Sequence, residues 1–202
     1  MDIKIIGAGL GGLAASCLLA HKGHDVTVLE KNSSPGGKIN ELSIDGYRFD
    51  TGPSLLTMPF ILEKLFEYCD TNISKYLDIE PVDPICRYFY PNGIQFDCYQ
   101  DTCLNTAQIQ EFAPNDVQAY KQFITYAEQL FERTKDAFLY NPLYGLSDLG
   151  DLDFTDFFKI DAFQTVSGRI DKQFESEELR QFFKRFTTYN GSSPYQAPSN
   201  LN

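Results

Sequence analysis

The sequence predicts an α/β fold, and three observations carry that prediction: the β-branched run Asp2-Ile3-Lys4-Ile5-Ile6, the glycine-rich turn Gly7-Ala8-Gly9-Leu10-Gly11-Gly12 behind it, and the run Val26-Thr27-Val28-Leu29 that ends in Glu30. A strand, a tight turn, a helix and a second strand in this order form a βαβ unit. Gly7 lets the chain turn sharply out of the first strand. Gly9 has no side chain, so backbone there can approach a pyrophosphate, and Gly12 lets the helix pack closely on the strand. The helix, Ala14-Ala15-Ser16-Cys17-Leu18-Leu19-Ala20, starts with unpaired N–H groups around Leu10, Gly11 and Gly12 and a positive dipole end that favours phosphate, and it stops at Gly23. Glu30 closes the second strand, where its carboxylate can accept hydrogen bonds from adenosine ribose hydroxyls. A 2′-phosphate at that point would be repelled, which disfavours NADP. The whole reads as a Rossmann-like ADP-binding unit. A secretory-signal reading of residues 1–20 fails, because glycines interrupt the apolar run and no basic segment precedes it.

Two further segments narrow the cofactor. Pro35-Gly36-Gly37-Lys38 follows Glu30 and Lys31, and Gly46-Tyr47-Arg48-Phe49-Asp50-Thr51-Gly52-Pro53 comes next. Gly36-Gly37 would admit a second stretch of backbone close to a dinucleotide, and Lys38 could offer a cation to its phosphates or to the adjacent sheet. Taken alone the two segments are an exposed turn and a β-hairpin bent at Gly46. Behind an intact βαβ unit they point to FAD.

At these residues the chain resembles the flavoproteins that combine a GxGxxG turn, a distal glutamate, a GG(R/K) turn and a DxGP segment, a group that includes amine oxidases, protoporphyrinogen oxidases and bacterial-type phytoene desaturases. Asp45 to Ser54 with Thr57-Met58-Pro59 is most similar to the phytoene and diapophytoene (carotenoid) desaturases, as is Gly191-Ser192-Ser193-Pro194-Tyr195-Gln196-Ala197-Pro198. Lys38 departs from the arginine of many relatives, keeping the charge and losing the planar fork. The resemblance implies cofactor contacts at Gly7, Gly9, Leu10, Gly11, Gly12, Glu30, Lys31, Gly36, Gly37, Lys38, Gly52 and Pro53. It also implies that residues 1–59 are the first, incomplete part of an FAD-binding domain and that 60–202 are part of an α+β substrate or lid domain. Family members are more than twice as long, so the chain is expected to be an N-terminal portion, inactive by itself.

The later elements are read from periodicity. Ile61, Leu62, Leu65 and Phe66 mark one face of a helix over 60–68. Ile85–Tyr90 and Ile94–Tyr99 are strands joined by Pro91-Asn92-Gly93, a hairpin signal. Asn115 or Asp116 is expected to cap a long helix to about Tyr140 that buries Tyr120, Phe123, Ile124, Ala127, Leu130, Phe131 and Phe138, and Ser176 to open a last helix through Phe186. Seventeen Phe and twelve Tyr make an unusual aromatic load. A loop-rich zone with Phe138, Leu139, Tyr140, Leu143, Tyr144, Phe154, Phe157 and Phe158 is a candidate membrane-facing entrance. The acidic run Asp148, Asp151, Asp153 and Asp156 reads as a solvated loop.

A net charge of −11 argues against nucleic acid and against an electrostatic grip on anionic lipid. No apolar stretch is long enough to span a membrane. The five cysteines, Cys17, Cys69, Cys86, Cys98 and Cys103, form no CxxC pair and suit free thiols in a reducing cytoplasm. His21 and His24 sit at a helix end without ligand spacing, so no metal site is expected. By resemblance the reaction is FAD-dependent desaturation of a lipophilic polyene precursor of the C30 or C40 class, with electrons passed to an external acceptor and peripheral contact with the inner face of the membrane. No residue stands out as the general base, and no catalytic residue is named. A retinol-saturase-like or amine-oxidase-like oxidoreductase of the same fold, or a non-catalytic prenyl- or lipid-binding protein, are the alternatives.

Overall fold

The computed structural model describes residues 1–53, 55–135, 140, 145 and 164–199, and the chain divides into two compact units, Met1–Pro81 and Val82–Asn202. The zone proposed as an entrance lies outside the described residues except for Tyr140, and the acidic run lies wholly outside them.

In the first unit, strand β1 (Asp2–Ile6) pairs in parallel with β2 (Asp25–Leu29), Ile3 opposite Val26 and Ile5 opposite Val28. Helix α1 (Leu10–His21) is the crossover between them. It ends where the Gly23 amide, at φ +83°, donates to the Ala20 carbonyl, a left-handed position that costs glycine nothing. Strands β3 (Glu41–Ile44) and β4 (Tyr47–Asp50) form a separate antiparallel hairpin. Asp45 and Gly46 both have positive φ, as a two-residue hairpin turn matched to strand twist requires. The register gathers Leu42, Ile44, Tyr47 and Phe49 on one face. Arg48, across the hairpin from Ser43, bridges Glu41 at 2.6 Å and Asp50 at 2.9 Å.

Helix α2 (Pro59–Tyr68) starts on a proline whose missing N–H would have had no helical partner anyway. It stays with the first compact unit, as does the 3-10 turn Ile73–Lys75. The reason is packing: Leu65 and Phe66 of α2 share with Leu10, Leu13, Ala14 and Cys17 of α1 the walls of an apolar groove of about 390 Å³.

The second unit is built on the hairpin of β5 (Cys86–Phe89) and β6 (Gln95–Cys98), with Tyr88 opposite Phe96. Helix α3 (Thr102–Phe112) follows, its first turn capped by the Asp101 carboxylate, which accepts the Cys103 amide at 2.7 Å. After a 3-10 turn over Pro114–Asp116 comes α4 (Val117–Lys135), then α5 (Val166–Gln173) and α6 (Glu177–Lys184), and a 3-10 segment, Arg185–Asn190, that Gly191 closes at φ +65°. The core is aromatic. Phe183 stacks on Phe174 with centroids 4.8 Å apart and meets Phe123 at 4.4 Å, while Phe96 and Phe182 meet edge to face at 5.2 Å. Phe96, Ile109, Ile170, Phe174 and Leu179 are fully enclosed.

Four readings of this unit change. Helices α3 and α5 were not anticipated. Asp116 does not cap α4: it is buried, and its carboxylate accepts the Glu175 and Ser176 amides, tethering the entry to α6. Phe131 is exposed while Tyr120, Phe123 and Leu130 are buried as expected. The last α-helix stops at Lys184, and its chain continues as a 3-10 segment through Phe186. Ser176 does cap it, accepting the Leu179 amide.

Candidate functional site

The site is assembled at the C-terminal end of the β1–β2 pair. Gly7 leaves β1 at φ +98°, and its amide donates to the Leu29 carbonyl at 2.7 Å, so the turn is bonded to the end of the neighbouring strand. Gly9 is the N-cap of α1, in extended conformation with no side chain to offer, and the first intrahelical bond runs from the Leu13 amide to the Gly9 carbonyl. The amides of Leu10, Gly11 and Gly12 ahead of it have no carbonyl within the helix to bond, and the first turn holds no acidic residue. The result is a row of donors at the positive end of a helix whose own first turn carries no anion. Gly12 is sterically required: a Cβ there would lie 2.0 Å from the Gly7 carbonyl oxygen. At Gly11 nothing comes within 4 Å.

Glu30 points back toward this turn. One carboxylate oxygen accepts the Ala8 amide at 2.7 Å, and the other accepts the Asn32 amide at 2.9 Å. These backbone donors, Asn32 first and then Ala8, hold its carboxyl below the usual glutamate range, so it is anionic throughout the neutral region. Each oxygen keeps a further lone pair for a ribose hydroxyl. The enclosed Ala8 beside it was not anticipated, because a backbone amide leaves no trace in residue type.

The second glycine turn is brought to the first. The Gly36 amide donates to the Ala8 carbonyl at 2.8 Å, and Gly9 and Gly36 form a parallel bridge. Gly37, at φ +64°, approaches so closely that a Cβ would stand 3.0 Å from the Gly9 Cα. The glycine pair, expected to open a path for backbone toward a dinucleotide, thus also braces the turn that carries Gly9. A third layer closes on these two: a Cβ at Gly52 would lie 2.1 Å from the Lys38 carbonyl oxygen, and the Thr51 amide and hydroxyl both donate to the Asn40 carbonyl. Gly9 thus meets Gly36 and Gly37, Gly12 meets Gly7, Gly52 meets Lys38, and Glu30 reaches the first turn through Ala8. Lys31 and Pro53 sit exposed on the flanking turns. No described helix is long and apolar enough to cross a membrane.

Residues 5–71 match the family described as an NAD(P)-binding Rossmann-like domain. The chain is 36% identical to a 4,4′-diaponeurosporene oxygenase of Staphylococcus haemolyticus, over 98% of this chain and 40% of that protein. It is 32% identical to a carotenoid 3,4-desaturase of Haloarcula japonica, over 100% of this chain and 41% of that protein. A crystal structure of an oxidoreductase from Methanosarcina mazei superposes with a TM-score of 0.58 at 18% identity, covering 99% of this chain and 41% of that one, which shows the shared fold. The chain spans about two-fifths of the length of the curated relatives it matches. Over that span it matches carotenoid desaturases and oxygenases, and its Rossmann-like dinucleotide-binding unit supports FAD as the cofactor.

Proposed function

We propose that the protein carrying this chain is an FAD-dependent enzyme that desaturates a lipophilic C30 or C40 carotenoid precursor such as phytoene. The observation that supports it most is the packing of the Gly36-Gly37 turn on the first glycine turn, which Glu30 also holds through Ala8, in a chain similar to carotenoid-oxidising enzymes. Bound FAD supplies the two-electron acceptor for the substrate's hydrogen. On this reading the amides of Leu10, Gly11 and Gly12 hold the pyrophosphate at the α1 N-terminus, and Glu30 accepts the ribose hydroxyls. Gly36 and Gly37 keep side chains out of the cradle, Lys38 and Lys31 contribute positive charge beside it, and Gly52-Pro53 closes it from the third layer.

Residues 1–59 would hold the adenosine half of the cofactor. Residues 60–202 would begin the part that shapes the substrate channel, with a proton leaving to a base or to solvent, electrons passing to an external acceptor, and peripheral contact with the inner face of the membrane delivering the polyene. Oxygenation of a carotenoid is the second reading, favoured by the name of the Staphylococcus haemolyticus relative.

Expression of the complete protein that carries this chain, in cells that make phytoene or diapophytoene, separates these. Coloured, more unsaturated hydrocarbons are expected. Oxygenated polyenes would move the assignment to the second reading, and unchanged colourless precursor with no flavin reduction would overturn both.

A further inference from the structure

The two cysteines of the second unit's hairpin are placed for chemistry that the cofactor site does not use. Cys86 opens β5 and Cys98 closes β6, and the antiparallel register sets them directly opposite each other. Opposed residues in such a ladder have Cα atoms roughly 4.5–5.5 Å apart and side chains on the same face. A disulfide needs a Cα separation of roughly 4.4–6.8 Å, so this backbone can carry one without rearrangement. The pair sits at the open end of the hairpin, away from its turn at Pro91-Asn92-Gly93, on the face that carries Tyr88 and Phe96. Both thiols are half-buried, and Cys98 packs against the aromatic core.

We propose that Cys86 and Cys98 form a dithiol site that a peroxide converts reversibly to a cross-strand disulfide. Hydrogen peroxide oxidises the Cys86 sulfur to a sulfenic acid with release of one water. The Cys98 sulfur then attacks it, the S–S bond forms, and the sulfenic oxygen leaves as a second water. The balance is two thiols and one peroxide to one disulfide and two waters, the two electrons ending on the peroxide oxygens. Burial, with a smaller contribution from the facing Cys86, pushes the Cys98 thiol up, which disfavours it as the sulfur that meets the peroxide first. The half-buried pair stays within reach of small reductants at the open end of the hairpin. Reversal by a dithiol reductant follows from the same geometry.

The competing pair is Cys17, on α1, with Cys69, just past the end of α2, which line one apolar groove without a ladder to fix their separation. Cys103 is exposed.

The test treats the fully reduced protein with graded hydrogen peroxide, alkylates the remaining thiols and maps peptides without reduction. The expected result is an intrachain Cys86–Cys98 crosslink as the first oxidation product, abolished by dithiothreitol. In Cys98→Ser the Cys86 sulfenic acid is expected to persist and react with dimedone. Sulfinic acid at Cys86 while Cys98 in the unsubstituted protein stays a free thiol would overturn the proposal, and so would an initial crosslink through Cys17, Cys69 or Cys103.

Discussion

Ala8, in the turn behind β1, and Glu30, at the end of β2, are 22 residues apart in the chain, and a 2.7 Å hydrogen bond joins them, the Ala8 amide donating to the Glu30 carboxylate. The residue suited to grip a ribose therefore also holds the loop suited to grip a pyrophosphate. A change at Glu30 acts on both.

Glu30→Ala is expected to raise the FAD dissociation constant at least about tenfold, because it removes charge-assisted acceptors from the ligand and from the Ala8 and Asn32 amides. Glu30→Gln keeps one oxygen acceptor and should fall between. Flavin fluorescence titration of the complete protein reads both. An unchanged dissociation constant for the alanine variant would remove Glu30 from the cofactor site.

Gly12→Ala and Gly11→Ala should behave oppositely although they are neighbours. At Gly12 the new methyl meets the Gly7 carbonyl at 2.0 Å, so α1 must move, at a cost of about 1–3 kcal/mol and with loss of the aligned amides. At Gly11 the methyl enters open space in helical backbone, and thermal stability of the cofactor-free protein should hold or rise by up to about 1 kcal/mol. Equal melting temperatures for the two variants would contradict the close approach.

In the second unit, Phe183→Ala is expected to cost about 3–5 kcal/mol, since the ring touches Phe123, Phe174 and Phe182 and is 3% exposed. Phe89→Ala, at 74% exposure on the same unit, should change stability by less than about 0.5 kcal/mol. Urea denaturation followed by tyrosine fluorescence gives both values.

Acid should weaken the second unit through three carboxyls held below their ordinary values: Asp97 by the two-pronged Arg87 guanidinium, Asp171 by Lys184, and Glu178 by the Ser176 hydroxyl. A carboxyl lowered in the folded state binds fewer protons there than in the unfolded chain. Its contribution is therefore full above the ordinary carboxylate value and is lost as pH falls through the folded one. Melting temperature should be flat near neutrality and decline below about pH 4, and Asp171→Asn should make that decline shallower. A decline of the same steepness in the variant would show that other groups carry it.

The βαβ unit was legible because its signals are local. Glycine spacing, a β-branched strand and the stop at Gly23 act within a few residues of themselves, and the predicted strands and α1 appear where those signals lie. The β5–β6 hairpin and the Ser176 cap were readable for the same reason, since Asn-Gly and an N-cap serine act on their own backbone. Helix α3 was not, because it buries Asn105 along with Ile109 and so shows no apolar stripe. Asn105 is at home there only because it donates to the Tyr99 carbonyl and the Tyr120 hydroxyl and accepts the Tyr99 amide.

Residue type and spacing thus pointed to the candidate site: glycines where backbone must turn or approach, an acid at the strand end, and a second glycine pair close behind. Tertiary structure alone decided what those groups touch. That Glu30 bonds Ala8, that Gly36 and Gly37 brace Gly9, and that Asp116 tethers the entry to α6 instead of capping α4 all depend on contacts between backbone atoms or distant segments. Every residue carries the same amide and carbonyl, so the pairing of those groups is set by how the chain packs in space.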